Sequence, residues 1–136
     1  MGHLRANETV EDRVIRLRLA SGHRQIPTTY VAIAGEQLLG SACLVKHDMD
    51  TRPELSPWLA GVFVAPSQRR RGIGAALIQK AVEEAGLLGI ERLYLYTLTS
   101  DTFYLKLGWS VLERTFYKRL WEEQEVTIMS IAPHGT

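Results

Sequence analysis

The run from Trp58 to Thr97 constrains the fold of this chain more than any other part of its sequence. It begins with Trp58–Val64, a stretch without a polar side chain, which is typical of a strand buried on both faces. A proline and a basic, glycine-containing loop follow. From Ile73 onward, apolar residues recur every three or four positions, which predicts an amphipathic helix. Arg92–Thr97 is then predicted to be a second strand, and the order strand, helix, strand indicates a right-handed parallel crossover.

Other elements are expected on both sides of this crossover. Thr28–Ala34 and Gln37–Lys46 are predicted as the strands of a hairpin, because the first is rich in β-branched and aromatic residues and Gly35 turns the chain. A polar, proline-broken loop, His47–Pro57, leads into the crossover. After it we expect a short helix (Ser100–Gly108) and two closing strands (Trp109–Lys118 and Glu125–Ile131), joined by a turn at Glu122–Glu125. The predicted fold class is therefore α/β, with a mixed, mostly antiparallel sheet, one parallel crossover and flanking helices.

A first helix is expected near the N-terminus. Thr9 can cap it, Val10, Val14 and Leu17 recur at helical spacing, and Gly22 would end it.

Length and composition favour one domain and exclude several function classes. A chain of 136 residues suits a single domain over residues 1–136. The net charge of +1 gives no global field that would attract nucleic acid or an acidic membrane. No apolar stretch approaches the roughly 20 residues of a membrane helix. The N-terminal sequence lacks the apolar core of a signal peptide, and Cys43 is the single cysteine, so we expect a cytoplasmic protein without an intrachain disulfide.

An anion site is predicted where the helix of the crossover begins. The first N–H groups of a helix lack intrahelical partners, and the helix dipole makes that end positive. Gly72 and Gly74 let the backbone approach a bulky oxyanion, and the three arginines before them add charge-assisted hydrogen bonds. A phosphate or pyrophosphate would fit, although a solvated basic loop explains the same residues equally well.

Two common phosphate motifs do not match this loop. A triphosphate-binding loop ends in Gly-Lys-Ser/Thr, whereas Gly74 is followed by two alanines. A dinucleotide-binding turn needs a third glycine where this sequence has Leu77, together with an acidic partner for the ribose, which is missing. ATP and NAD are therefore not expected.

Two motifs on these elements resemble the GNAT superfamily of acyl-CoA N-acyltransferases. Arg69–Gly74 matches Arg/Gln-x-x-Gly-x-Gly, follows a strand that ends in Val-x-Pro, and opens the helix. Farther along, Phe103–Trp109 matches aromatic-Tyr-x-x-x-Gly-aromatic. The likeness runs from Thr28 to Ile131. It implies the GNAT fold and acetyl-CoA as co-substrate, with the coenzyme pyrophosphate held by the first motif.

The resemblance also implies where the coenzyme lies. Backbone N–H groups of the glycine loop would hold the pyrophosphate, the side chain of Arg69 matches the Arg/Gln of the motif, and the edge of Val62–Val64 would pair with the pantetheine arm. Gly61 would open a gap for that arm, or would simply permit close packing. The residues expected to contact the coenzyme are Val62, Phe63, Val64, Arg69, Arg70, Arg71, Gly72, Ile73, Gly74 and Ala75.

The resemblance assigns one catalytic residue and leaves another open. Tyr104 matches the acid that protonates the departing thiolate; the alternative is a core aromatic on a short helix. Many relatives carry a glutamate as base on the strand before the glycine loop, and Trp58–Val64 has no acidic residue. The base is therefore either a water relayed to backbone carbonyls or a side chain of the preceding loop. The candidates in that loop are His47, Asp48, Asp50 and Glu54.

The same loop lies where the acceptor groove of the family usually opens. Asp48, Asp50 and Glu54 predict an acceptor with positive charge, or else they belong to a solvated turn. The expected function is acetyl transfer to a primary amine, on a small molecule or a protein, by direct attack on the thioester. The missing glutamate supports an alternative, a non-catalytic acyl-CoA-binding sensor or regulatory module.

Three further expectations concern ligands and partners. The four histidines show no metal-ligand spacing, so no metal is expected. One short basic run without an aromatic platform predicts no nucleic-acid binding. Relatives generally begin with a strand that pairs with Thr28–Ala34, whereas Met1–Asn7 is short and polar, so a second copy could cover that edge in a homodimer.

Overall fold

The computed structural model describes residues 15–19 and 26–133. The elements are β1 (Ile15–Leu19), β2 (Thr28–Ala34), β3 (Gln37–Val45), β4 (Trp58–Val64), α1 (Ile73–Leu87), β5 (Leu93–Thr97), α2 (Asp101–Lys106), β6 (Ser110–Arg119) and β7 (Glu122–Ile131). Within the described residues, seven strands form one sheet in the order β1-β2-β3-β4-β5-β7-β6. Among the neighbouring pairs of these strands, β4 and β5 are parallel and the others are antiparallel. The predicted mixed sheet with one parallel crossover is confirmed.

The expected N-terminal helix is wrong where the structure describes that part of the chain, because β1 lies there. Ile15–Leu19 reads Ile-Arg-Leu-Arg-Leu, and this two-residue alternation of apolar and basic residues is the period of a strand. Leu17 and Leu19 pack against the main core. The helical spacing that ended at Leu17 had hidden this alternation. Thr9 and Gly22 lie outside the described residues.

The pairing of β1 changes the argument for a homodimer. β1 runs antiparallel to β2, with Ile15 opposite Ala34 and Leu19 opposite Tyr30. The edge of β2 that seemed to need a second copy is therefore covered within the chain. The homodimer itself stays a prediction, now without that support; Met1–Asn7 lies outside the described residues.

The two faces of the sheet carry different apolar cores. Along β5, Leu93 and Leu95 belong to one core, whereas Tyr94 and Tyr96 belong to the other, as the alternation of a strand requires. We call the two sides the helix face and the loop face. On the helix face, both helices pack over the larger core, which includes Tyr30, Leu39, Leu44, Leu59, Leu77, Ile78, Leu95, Trp109 and Met129.

The loop face is covered by the connection between β3 and β4. Met49 from this connection is fully buried against Trp58, Val126 and Ile128. The indole N–H of Trp58 donates to the carbonyl of Leu55 at 2.7 Å, which fixes the end of the connection to the sheet. The connection is polar in sequence, but apolar side chains on its inner side anchor it to the sheet.

The closing hairpin is longer than the sequence indicated. Arg119 pairs with Glu122, so β6 and β7 run to the tip, and the predicted turn at Glu122–Glu125 is wrong. The turn consists of Leu120 and Trp121, each 84% exposed, and Leu120 has a left-handed φ of 60°. Exposed strand residues resemble a turn in composition, which explains the error.

Among the described helices, none is long and apolar enough to cross a membrane.

Candidate active site

The sheet opens between β4 and β5. These parallel neighbours share a single paired position, Trp58 opposite Tyr94, with a further hydrogen bond from the N–H of Tyr94 to the carbonyl of Pro57 at 3.1 Å. Beyond this point, Ala60–Val64 has no ladder partner on β5. The strands therefore separate towards their carboxyl ends and leave a gap in the sheet.

A bulge at Gly61 accompanies the separation. The register between β3 and β4 shifts between Ser41 and Cys43, where β4 carries one residue more than β3. Gly61 has a φ of +61°, a left-handed value that favours glycine. A Cβ at this position would meet only the Sγ of Cys43, at 3.5 Å, an ordinary contact. Backbone conformation rather than close packing therefore explains Gly61.

The gap runs through the sheet from one face to the other. Its lining includes Leu59, Leu95 and Tyr104 from the helix face, and it includes Asp48, Tyr96 and Arg119 from the loop face. The cavity has a volume of about 380 Å³. Two reactants could thus reach one point from opposite sides of the sheet.

A second cavity, of about 210 Å³, lies at the start of α1. Arg70 and Gly72 both adopt left-handed φ values, 66° and 79°, so the loop curls before the helix begins. The first hydrogen bond of α1 joins the N–H of Ala76 to the carbonyl of Gly72 at 3.0 Å. The N–H groups of Ile73, Gly74 and Ala75 come before that bond, as expected for an anion cradle.

The walls of this cradle fit a coenzyme pyrophosphate. Gly72 has no atom within 4 Å of an added Cβ, and a Cβ at Gly74 would meet only Val64, at 3.4 Å. The space in front of the loop therefore belongs to the cavity and not to packed protein. The buried Oε1 of Gln68, whose residue lines the cavity, has no hydrogen-bond partner among the described residues, so it is left to accept an N–H or O–H of a ligand.

The arginines of the motif lie in different places. Arg69 and Arg70 line the cradle, but Arg71 does not. The Nε of Arg69 donates to the carbonyl of Val64 at 3.2 Å, so this side chain also ties the loop back to the end of β4. The loop contributes backbone N–H groups and two cations at one mouth, which is the chemistry that an oxyanion needs.

The second sequence motif ends α2 in a fixed geometry. The N–H of Trp109 donates to the carbonyl of Tyr104, and that of Gly108 to Leu105, both at 3.1 Å, which is a Schellman motif. Gly108 supplies the left-handed residue, at φ 98°. The rings of Tyr104 and Trp109 then meet edge to face, with centroids 6.1 Å apart. The spacing of the motif therefore serves to hold Tyr104 in one orientation.

Tyr104 lies half-buried beside the gap, and burial raises the pKa of its hydroxyl above the ordinary value of 10.0. The phenol therefore holds its proton at neutral pH. A buried, protonated hydroxyl beside a cavity is suited to donate a proton or a hydrogen bond.

On the loop face, Asp48 is the acidic residue of the gap lining. Burial raises the pKa of its carboxyl above 3.8, and the nearby charge of Arg119 acts in the opposite direction. Burial together with the charge of Asp48 raises the pKa of the Tyr96 hydroxyl, and the nearby guanidinium of Arg119 acts in the opposite direction. A carboxyl with a raised pKa is a stronger base than an ordinary aspartate.

The loop that carries Asp48 is fastened to β6. Arg52 binds Glu113 through two hydrogen bonds, Nε to Oε1 at 3.1 Å and a terminal nitrogen to Oε2 at 2.6 Å. This hydrogen bond and the charge of Arg52 lower the pKa of Glu113. The loop also turns on itself, with N–H to carbonyl bonds from Arg52 to Met49 and from Leu55 to Arg52, both 3.1 Å. The position of Asp48 is therefore set by contacts on both sides.

The sequence model of the acetyltransferase (GNAT) family matches residues 4–109, a range that makes up most of the chain and contains both motifs. The chain belongs to the acetyltransferase (GNAT) family. The resemblance drawn from the two motifs is thereby confirmed, and so is the expectation that the chain is an acetyltransferase.

Solved structures of GNAT acetyltransferases share this fold. One from Bacillus subtilis in complex with CoA is 17% identical at a TM-score of 0.66, covering 88% of this chain and 99% of that one. A spermidine/spermine N-acetyltransferase from Vibrio cholerae in complex with manganese ions is 18% identical at a TM-score of 0.65, and the match covers 82% of this chain and 68% of that one. A GNAT family acetyltransferase from Elizabethkingia anophelis with acetyl-CoA bound is 16% identical at a TM-score of 0.61, and the match covers 78% of this chain and 76% of that one. No curated protein matches the chain by sequence.

The acetyltransferase site contains some of the residues that sequence analysis proposed for the acceptor. Of the three acidic candidates, Asp48 lines the gap, whereas Asp50 and Glu54 are exposed and lie outside its lining. His47 is also exposed outside the lining. Within the described residues, no three His, Cys, Asp or Glu side chains are grouped so that they could hold a metal ion.

Sequence reasoning missed two residues of the candidate site. Phe103 lines the cradle at the start of α1, although it stood in the quoted motif as the residue before Tyr104. Arg119 lines the gap from the tip of the closing hairpin, and no local pattern marks it. Its position follows from the sheet order, which brings the β6–β7 hairpin alongside β5.

Proposed function

We propose that this acetyltransferase transfers an acetyl group from acetyl-CoA to a primary amine by direct attack of the amine. The observation that carries the proposal is the gap through the sheet, which has Tyr104 on the helix face and Asp48 on the loop face. A proton donor and a proton acceptor thus lie on opposite sides of one cavity.

The coenzyme would bind along the helix face. The N–H groups of Ile73, Gly74 and Ala75, with Arg69 and Arg70 beside them, would hold its pyrophosphate. The unpaired edge of Val62–Val64 would bind the pantetheine arm as a short extra strand does. When bound, acetyl-CoA supplies an activated thioester.

The residues of the gap would move the protons. A primary ammonium has a pKa near 10 and must lose a proton before it can attack. Asp48, whose pKa is raised by burial, would accept that proton directly or through a water molecule. The free N–H groups on the open edge of β4 would stabilise the oxyanion. Tyr104 would donate its hydroxyl proton to the departing sulfur.

Burial of Asp48 at the gap bears on the alternative, a sensor that binds acyl-CoA without turnover. The absence of a glutamate on β4 had supported that alternative. The half-buried carboxyl of Asp48 lies beside the gap on the preceding loop and would supply the base from another element.

The test is an acceptor screen with thiol release as the readout. Purified protein is incubated with acetyl-CoA and a panel of amino acids, simple alkylamines, polyamines, aminoglycosides and peptides, with acetyl-CoA alone as the blank. We expect amine-dependent thiol release and an acetylated product of matching mass. Tight binding of acetyl-CoA without turnover of any amine would favour the sensor, and tighter binding of ATP than of acetyl-CoA would contradict the coenzyme assignment.

A further inference from the structure

The loop-face mouth of the gap carries charges of both signs. Asp48 comes from the β3–β4 loop, and Arg119 is the last residue of β6. The described lining holds no other aspartate, glutamate, lysine or arginine. The lining on this side of the gap is thus balanced in formal charge: Asp48 belongs to it, whereas Asp50 and Glu54 lie outside it.

Arg119 lies at this mouth beside Tyr96 of β5. Its side chain is exposed, and both residues line the gap. Tyr96 is fixed by ring contacts, 5.5 Å to Tyr117 and 6.3 Å to Trp58 between centroids. The guanidinium of Arg119 has five N–H donors in a planar fork, which suits a ligand at this mouth.

We propose that the acceptor amine carries a carboxylate close to its nitrogen, as an α-amino acid does, and that Arg119 binds this carboxylate. The inference rests on the proposed acetyl transfer to an amine. The ammonium group would lie beside Asp48, and the carboxylate would accept hydrogen bonds from Arg119 in the fork geometry that suits it. Arg119 is then a specificity-determining residue and takes no part in the proton transfers.

The charges of the gap argue against a polyamine. A polyamine would bring several positive charges to Arg119, and Asp48 is the one carboxylate in the described lining that could offset them. A zwitterion meets an opposite charge at each end.

Matched pairs of acceptors test this inference directly. Each pair is an amino acid and the amine formed from it by loss of the carboxylate: lysine with cadaverine, arginine with agmatine, and tyrosine with tyramine. We expect the wild-type protein to have the higher kcat/KM for the amino acid. Arg119→Gln should lower that value by about 10- to 100-fold, mainly through KM, because a hydrogen bond to a charged group is lost.

The decarboxylated amines and a neighbouring variant provide the controls. The deciding quantity is the ratio of kcat/KM for the amino acid to kcat/KM for its amine, because the charge of Arg119 also lowers the pKa of Asp48 and that effect is common to both members of a pair. Arg119→Gln should lower this ratio, because only the amino acid loses a carboxylate contact. Lys118→Gln removes an exposed cation that does not line the gap and should leave the preference intact. Equal losses for both members of each pair would mean that Arg119 acts only through Asp48, and would overturn the inference. Thiol release with the decarboxylated amines alone would overturn it and leave the proposed function standing; no release with any amine would overturn both.

Discussion

Tyr104 shows how one side chain connects the packing of a helix end to chemistry. Tyr104→Phe removes a single oxygen and keeps the ring against Trp109, so the fold and coenzyme binding should be retained. Loss of a general acid typically costs about 10²–10⁴-fold, and we expect kcat to fall within that range. Steady-state kinetics and calorimetry with acetyl-CoA measure the two effects separately. Full activity of the variant would remove Tyr104 as the acid.

The pKa of Asp48 gives a prediction for the pH dependence. If the Asp48 carboxylate is the base, as proposed, activity should be lost as the pH falls through its pKa, which burial raises above 3.8. Asp48→Asn should lower kcat by about 10²–10⁴-fold and remove this acid limb. Asp50 is an exposed neighbour outside the gap, so Asp50→Asn is the control and should keep the wild-type kcat and the acid limb of the pH profile. An acid limb that persists in Asp48→Asn would assign the base to another group.

At the level of elements, the two ends of α1 offer a matched test of the coenzyme cradle. Gly72 precedes the helix at φ 79° and Gly89 follows it at φ 80°, and an added Cβ meets no atom within 4 Å at either position. Each change to alanine should cost about 1–2 kcal/mol of stability through backbone strain. Only Gly72→Ala should weaken acetyl-CoA binding, by about tenfold or more, because only Gly72 lines the cradle. Equal affinities in the two variants would contradict the cradle.

The bond between the β3–β4 loop and β6 should matter for the acceptor and not for the coenzyme. Arg52→Ala frees the loop that carries Asp48 while leaving the cradle untouched. We expect kcat/KM for the amine to fall by about tenfold, since small misplacements of reacting groups can cost up to 10²-fold, with acetyl-CoA affinity unchanged. Arg92→Ala is the control, because Arg92 bonds Ser130 and lies outside the gap lining. An unchanged kcat/KM in Arg52→Ala would show that Asp48 keeps its position without this bond.

At the scale of the whole molecule, the crossover was predictable because its signals are local. An apolar strand, a glycine loop and an amphipathic helix each have a sequence period or composition of their own, and Trp58–Thr97 shows all three. The expectation that β4 is buried on both faces is wrong beyond Leu59: Gly61 and Phe63 are exposed, because β4 leaves β5 there and borders the gap.

The N-terminal strand was missed because Leu17 fits both the helical spacing that starts at Val10 and the alternation of Ile15–Leu19, and only pairing with β2 decides between them. Tertiary pairing of this kind overrides a local helical pattern.

The candidate site also contains residues that local sequence signals predict and a residue that only the tertiary fold brings to it. The cradle and Tyr104 lie on motifs whose spacing has a local cause, a helix start in one case and a Schellman turn in the other. Arg119 is far from both motifs along the chain, and it lies at the end of β6, where the β6–β7 hairpin turns beside the gap. The sequence order of the strands does not contain that adjacency, so no spacing rule could have indicated it.

An opening that passes through the sheet has a consequence for the kinetic mechanism of a reaction with two substrates. If the coenzyme binds on the helix face and the amine on the loop face, neither blocks the path of the other, and both are bound when transfer occurs. Double-reciprocal plots at several amine concentrations should therefore intersect, whereas parallel lines would indicate an acetylated enzyme. Labelled CoA should not exchange into acetyl-CoA without amine. The acetylated product can also leave before CoA does, so either product should inhibit without the other.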